Sequence, residues 1–261
     1  MSDRIILKVG GSVLTDKTRE KCLNVNEIDR VAGEIASANV RGLIIVHGAG
    51  SFGHPQAKKF GLDVSGKRNF IEVALTHEIV KELNRALIER LVENGVAAVP
   101  VHPLSCTISH SSRLSEMMIR QIELMLENGT IPVLHGDVVM DTAWGVSILS
   151  GDQIVVHLAR HLGVGKVGVG TDVDGVMGGN KVIATITPKT FNDVKALLSG
   201  SSGIDVTGGM LGKVNELIKL ADDGISSHIF NASKTGNIAN FLNGKENFGT
   251  IIRSERHETN L

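Results

Sequence analysis

The chain has 261 residues, 42% of them hydrophobic, with 30 glycines, 5 prolines, 2 cysteines and a formal net charge of −1. That balance offers no basic field to a nucleic acid, and no apolar run reaches the length of a membrane span. Two cysteines make no disulfide framework, and Met1–Lys8 lacks the apolar core of a secretory signal, so the expectation is a soluble cytoplasmic protein with one large core.

Ile5-Ile6-Leu7-Lys8-Val9 reads as a first buried strand running into Gly10-Gly11-Ser12. A lysine inside a buried strand is costly unless its ammonium reaches water or an anion, and Lys8 stands directly before a glycine turn. Lys17 follows in a polar stretch and reads, by itself, as a solvated loop residue. Asn26–Ala38 predicts a helix with Ile28, Val31, Ala32 and Ile35 on its buried stripe. Leu43–Val46 is a second strand, entering His47-Gly48-Ala49-Gly50-Ser51-Phe52-Gly53-His54. Three glycines let this loop turn sharply and aim backbone N–H groups at one anion, to which His54 adds a side-chain donor. Gly48, Gly50 and Gly53 also spell the dinucleotide fingerprint, but Pro55 opposes the helix it needs and Glu72 is not at a strand end, so that reading is set aside. Residues 55–70 read as a polar flap over the site.

Glu72–Asn94 predicts a long helix stopped at Gly95, followed by a strand at Val96–Val101 and a helix at Leu114–Leu126. Ile131–Leu134 reads as a strand, and Val138–Met140 with Val146–Leu149 as a hairpin. Ser150-Gly151-Asp152 opens a helix over Gln153–Leu162, with Asp152 as its N-cap or first-turn acid. His157 and His161 are four apart but have no third ligand, so they read as ordinary helix residues. Lys166–Gly170 is a strand ending in Thr171-Asp172-Val173-Asp174-Gly175-Val176, which suits a ribose, a turn cap or a cation but lacks the remaining EF-hand ligands. Lys181–Ile186 reads as a small β excursion and Pro188–Leu198 as a helix. Asp205-Val206-Thr207-Gly208-Gly209-Met210 is a further glycine turn, entering a helix to about Asp223 whose first turn holds Lys213, where the dipole disfavours a cation without an anion beside it. Ser227–Phe230 and Thr250–Ile252 are the last strands, around a helix at Asn237–Leu242.

Strands and helices alternate throughout, about eight and seven of them, which predicts one mostly parallel sheet covered on both faces. Three glycine turns border strands, and Lys8, Lys17 and Lys213 lie beside them. Such N–H nests and ammonium groups suit a run of phosphates and phosphoryl transfer, where catalysis is positioning and charge stabilisation. Neither G-x-x-x-x-G-K-[ST] nor the H-R-D and D-F-G set occurs, so neither P-loop nor protein-kinase machinery accounts for the pattern.

Taken together, Lys8-Val9-Gly10-Gly11-Ser12, the loop at 47–54, Ser150-Gly151-Asp152, Thr171–Val176 and Val206-Thr207-Gly208-Gly209-Met210 with Lys213 resemble the amino acid kinase superfamily, in its order and over nearly the whole chain. Within it, Gly50-Ser51-Phe52-Gly53-His54-Pro55 resembles the isopentenyl phosphate kinases. The resemblance implies an α/β fold, a three-layer αβα sandwich with an open, mainly parallel sheet, as a single domain over 1–261. Its acceptor-binding and dimerising half would cover about residues 1–165 and its nucleotide-binding half about 166–253. It further implies ATP-dependent phosphorylation of isopentenyl phosphate to the diphosphate for isoprenoid biosynthesis by a homodimer, with Mg²⁺ accompanying ATP; the sequence names no protein residue as a metal ligand, and ATP oxygens could largely hold the ion.

Carried over by position, Lys8 and Lys213 contact the transferred phosphoryl group, Lys17 stabilises the transition state and Asp152 holds the lysines. Gly10, Gly11, Ser12, Gly50 and Gly209 cradle ATP phosphates, Asp172 approaches the nucleoside, and Ala49, His54 and Gly151 bind the acceptor phosphate. A phosphate monoester has a second pKa of about 6, so its nucleophilic oxygen is already anionic and no general base is needed. The acceptor's tail is assigned to Phe70, Val73, Ile79, Leu83, Val138 and Ile148. Two alternatives stay open: a kinase for another small phosphate or phosphonate, as in the related fosfomycin kinases, and a non-catalytic nucleotide-binding protein on the same fold.

Overall fold

Four of the five residues in β1 (Ile5–Val9) are apolar, so both its faces can be covered, and it lies well inside an eight-stranded sheet. The computed structural model describes residues 4–66, 69–200 and 209–254. With β1 the main sheet takes β2 (Leu43–His47), β3 (Ala98–Pro100), β6 (Ile131–His135), β9 (Lys166–Thr171), β12 (Thr185–Ile186), β13 (Ser226–Asn231) and β14 (Thr250–Ile252). Their order is β12-β14-β13-β9-β1-β2-β6-β3, and only the β13–β14 pair is antiparallel. A four-stranded sheet stands beside it, built from β4 (Thr107–His110), β5 (Arg113–Met117), β7 (Asp137–Asp141) and β8 (Gly145–Leu149) in the order β5-β4-β7-β8. A small hairpin pairs β10 (Met177–Gly178) with β11 (Lys181–Val182).

Side-chain alternation along the strands divides the core in two. Leu7, Val9, Leu43, Ile45 and Val133 pack with α2 (Val25–Ala38), α4 (Phe70–Glu93) and α10 (Asn237–Leu242) through Val31, Leu83, Leu87 and Phe241. Ile6, Ile44, Val46, Leu134 and Val169 pack on the other face with α6 (Ile119–Glu127), α7 (Gly151–Leu162), α8 (Phe191–Gly200) and α9 (Gly209–Asp222). Each fully buried aliphatic side chain in these layers contributes about 1.5–3 kcal/mol. Lys8 alternates with Leu7 and so shares the face of Ile6, the one that α7 and α9 cover. Short helices α1 (Gly11–Leu14), α3 (Gly50–Lys59) and α5 (Pro103–Cys106) complete the set. No described helix is long and apolar enough to cross a membrane.

The α/β architecture with a mostly parallel, doubly covered sheet agrees with the sequence reading; three local expectations do not. Residues 50–59 are helix α3 rather than loop and flap. Pro55 withholds an N–H from the Ser51 carbonyl, but that carbonyl accepts instead from the Lys21 N–H at 3.1 Å, so the helix survives its proline. The helix expected over Leu114–Leu126 begins only at Ile119, because Arg113–Met117 pairs with β4. The turn between these strands has Ser111 and Ser112 at φ of 48° and 62°, held by the Asp141 carboxylate, which accepts their N–H groups at 3.1 and 2.7 Å. In consequence the hairpin at 137–149 belongs to a second sheet, not to one continuous sheet. Residues 205–208 of the further glycine turn lie outside the described residues, which resume at Gly209, the first residue of α9.

Parallel pairing brings the carboxyl ends of β9, β1, β2 and β6 to one edge. There the chain leaves β1 for β2 on one side while β9 flanks it on the other, the kind of switch point where open α/β sheets bind ligands.

Candidate active site

Two glycine turns make the floor at this edge. Gly10 follows β1 and Gly11 opens α1; Gly48 follows β2 and Gly50 opens α3. Their backbones touch: a Cβ on Gly11 would stand 2.2 Å from Gly50 N, and one on Gly48 2.6 Å from Gly11 N. Gly50 has φ of +52°, and a Cβ there would meet Thr15 Oγ1 at 2.3 Å. That hydroxyl donates to the Gly11 carbonyl at 2.7 Å and accepts the Ser51 N–H at 3.0 Å, while the Gly48 N–H donates to Val9 O at 3.0 Å. Glycine is therefore a packing requirement at 11, 48 and 50, since any side chain would push the two turns apart.

Above this floor lies a cleft of about 810 Å³. It is lined by every residue that the sequence reading assigned to the phosphoryl group, the nucleotide or the acceptor phosphate: Lys8, Gly10, Gly11, Ser12, Lys17, Ala49, Gly50, His54, Gly151, Asp152, Asp172, Gly209 and Lys213. Lys8 is only 4% exposed, and its Nζ lies 2.8 Å from Asp152 Oδ1. Asp152 Oδ2 lies 3.9 Å from Lys213 Nζ, so one carboxylate faces two lysines, and Lys213 also donates to Gly209 O at 3.2 Å. Burial opposes the charge on Asp152, but the Lys8 and Lys213 ammonium groups outweigh it and hold the carboxyl below its usual range. Asp152 is free for this because Ser150 caps α7, its Oγ accepting the Gln153 N–H at 3.3 Å. Gly151 lets the start of α7 close on the lysine stem, a Cβ there falling 3.1 Å from Lys8 Cε.

Lys17 and Asp172 form a second, more exposed pair at 2.8 Å across 155 residues of sequence. Partial burial raises the Asp172 pKa, and the Lys17 hydrogen bond and charge reverse this to a net lowering. His54 stands on α3 at the cleft wall and is still exposed; enclosure by the cleft first, and then the Lys213, Lys8 and Lys17 charges, lower its pKa. A neutral imidazole at physiological pH still has one N–H to donate. The starts of α3 and α7 also border the cleft, adding helix N-termini that favour an anion.

The tail assignment is corrected in part. Val138 and Ile148 line the cleft, and Val73 lies behind them in a cluster with Leu62, Val138 and Val146. Phe70 is 59% exposed, and Ile79 and Leu83 belong to the main core. Thr76 and Val80, one helical turn apart on α4, face the cleft instead. The sequence reading also missed Gly136 and Asp137 at the end of β6, together with Arg113 and Glu216. Arg113 of β5 and Glu216 of α9 pair bidentately at 2.7 and 3.0 Å across the rim. A glycine between apolar strands was the available clue to Gly136; Arg113 had none, since its strand read as a helix.

A model of the amino acid kinase family matches residues 3–231. A protein named isopentenyl phosphate kinase from Methanothermobacter thermautotrophicus is 40% identical, the alignment taking in 95% of this chain and 98% of that protein. Another of that name from Haloferax volcanii is 39% identical over 96% of this chain and 99% of its own length. A solved structure described as isopentenyl phosphate kinase superposes with a TM-score of 0.84 at 37% identity, covering 95% of this chain and 99% of that one.

Proposed function

This chain belongs to the amino acid kinase family, and on that premise we propose that it transfers the γ-phosphoryl group of ATP to isopentenyl phosphate, giving isopentenyl diphosphate and ADP. The observation that carries this reading is the convergence of Lys8, Lys213 and His54 on a cleft floored by interlocked glycine turns, in a chain 40% identical over nearly its full length to a protein of that activity by name.

A phosphate oxygen of the acceptor attacks the γ-phosphorus, the bond to the β–γ bridging oxygen breaks, and ADP leaves with the electron pair. The acceptor is already anionic, so no base takes a proton. Lys8 and Lys213 hold the transferred group, oriented by Asp152, and Lys17 moves from Asp172 to the developing charge. Gly10, Gly11, Ser12, Gly50 and Gly209 approach the ATP phosphates. His54, with the backbone at Ala49 and Gly151, receives the acceptor phosphate; Val80, Val138 and Ile148 offer its tail an apolar wall. Among the described residues no group of three metal-ligating side chains occurs, and Asp152 faces Lys8 and Lys213, so Mg²⁺ would be held chiefly by nucleotide oxygens. In this reading about 1–165 binds the acceptor and forms a homodimer, a role suited to Phe70, Ile71 and Leu75, which α4 leaves exposed, and about 166–253 binds nucleotide.

A coupled ADP-release assay with Mg-ATP tests the reading against isopentenyl phosphate, dimethylallyl phosphate, geranyl phosphate, fosfomycin, glutamate and UMP. Turnover on the five-carbon phosphates above the rest is the expected result. Turnover confined to fosfomycin, glutamate or UMP, or none at all, overturns it.

A further inference from the structure

Behind the acceptor end of the cleft lie buried imidazoles that phosphoryl transfer leaves unused. His47 and His135 end β2 and β6, face each other in register, are fully buried, and stack with ring centroids 5.5 Å apart. Each is followed by a glycine that lines the cleft, Gly48 and Gly136. Nδ1 of His47 lies 3.0 Å from the Gly48 carbonyl oxygen, and Nδ1 of His135 lies 3.0 Å from that of Gly136. A carbonyl only accepts, so both Nδ1 atoms carry the proton. The opposite nitrogens then accept: Nε2 of His47 from Asn84 Nδ2–H at 3.0 Å, and Nε2 of His135 from His102 Nδ1–H at 2.9 Å. Every ring position of the two histidines is thereby used, which fixes the Nδ1–H tautomer in both and leaves no nitrogen for a metal.

The effect reaches the far edge of the peptide plane. A trans peptide sets its N–H antiparallel to its C=O, so the hold on Gly48 O fixes the direction of the Ala49 N–H, for which no acceptor occurs among the described residues. The Gly136 N–H donates to His47 O at 3.0 Å, tying the two strand ends together. A Cβ on Gly136 would stand 3.4 Å from Leu149 O, 3.5 Å from Gly151 N and 3.9 Å from Ala49 N. The room that a side chain would fill thus lies beside the two backbone nitrogens assigned to the acceptor phosphate, with the Leu149 carbonyl on its other border.

We propose that Gly136 completes the acceptor-phosphate cradle and that His47 and His135 are positioning residues, whose Nδ1–H groups lock the Gly48 and Gly136 peptides so that the cradle's donors keep their spacing. The proposal rests on the acceptor reading above. It separates a hydrogen-bonding role from mere filling of space, because asparagine carries its amide nitrogen where Nδ1 stands, while glutamine, nearer to histidine in volume, reaches toward Nε2.

The test measures KM for isopentenyl phosphate and for ATP in His47→Asn, His47→Gln, His135→Asn, His135→Gln and Gly136→Ala, with circular dichroism to confirm folding. The glutamine variants and Gly136→Ala are expected to raise the acceptor KM about tenfold, the asparagine variants less than about threefold, and all to leave the ATP KM within about twofold. Equal losses in asparagine and glutamine variants, or better retention by glutamine, overturn the brace. If the variants do not fold, imidazole ¹⁵N spectra of the unaltered protein decide: Nδ1–H forms at both histidines support it, an Nε2–H form at either refutes it. Turnover in the unaltered protein with unshifted variants sinks the brace alone, whereas no turnover in the unaltered protein removes the acceptor reading and the brace with it.

Discussion

Replacing Asp152 by asparagine keeps the shape of the side chain and removes the one negative charge between two lysines. At an effective dielectric of about 20, Coulomb attraction is about 6 kcal/mol at the 2.8 Å separation from Lys8 and about 4 kcal/mol at the 3.9 Å separation from Lys213, before desolvation cancels most of it. Lys8 is therefore the principal partner and, being buried, the one that loses most. Breaking one side of a buried pair costs about 3–5 kcal/mol, because the remaining charge stays out of water. At about 2–4 °C per kcal/mol for a chain of this size, Asp152→Asn should lower Tm by about 6–20 °C. Adding Lys8→Met removes the stranded ammonium, so the double variant should melt well above Asp152→Asn alone, recovering at least about half of the loss. Thermal unfolding in phosphate-free buffer without nucleotide measures both. The unaltered protein keeps this contribution above pH 3.8 and loses it only as pH falls through the lowered folded-state pKa of Asp152. A double variant that melts at the sum of the two single losses would falsify the account of Asp152 as a counter-ion.

Two further perturbations separate close packing from chemistry. Gly11→Ala forces a Cβ to 2.2 Å from Gly50 N and should cost about 1–3 kcal/mol and raise the ATP KM, whereas Gly33→Ala, inside α2 with nothing within 4 Å, should stabilise by about 0.5–1 kcal/mol. Similar Tm shifts in the two variants contradict the interlocked turns. Because the attacking phosphate oxygen must be ionised, the acid limb of kcat/KM for the acceptor should follow the phosphate's second ionisation near about pH 6. That limb should persist, at lower activity, in His54→Asn; its disappearance there assigns it to the histidine instead.

What the sequence made legible follows from what each residue needs. β1, β2, β6 and β9 are covered on both faces and therefore read as largely apolar runs. Lys8 stands out because it interrupts such a run beside glycines. Asp152 was legible as an acid at a helix start, but its function was ambiguous until Ser150 took the cap. The failures share a cause, a partner distant in sequence. Lys21 makes Pro55 tolerable in α3, and Asp141 folds the Ser111–Ser112 turn that converts an expected helix into β5. The tail wall was mixed because α4 buries residues against both the sheet and the cleft, so apolar spacing along it does not say which side Ile79, Leu83 or Val80 faces. His47 and His135 gave no usable clue either, since a histidine after an apolar run reads the same whether it ends in water or braces the next peptide.

If the cleft takes ATP as proposed, the two lysine–carboxylate pairs would meet the polyanion differently. Lys17 and Asp172 have side chains 63% and 42% exposed, and an ion pair of that kind is worth about 0–1 kcal/mol. A phosphate that draws Lys17 away from Asp172 therefore gives up little. Lys8 and Asp152 are the opposite case, because separating a buried pair leaves uncompensated charge in a place water does not reach. On the proposed reading Asp152 would stay put when ligands enter, one oxygen toward Lys8 and the other toward Lys213, while Lys17, in the exposed pair, would be the cation able to change partners. In the proposed transfer, Lys8 and Lys213 would then supply preorganised stabilisation, and Lys17 the part that must follow charge as it moves from donor to acceptor.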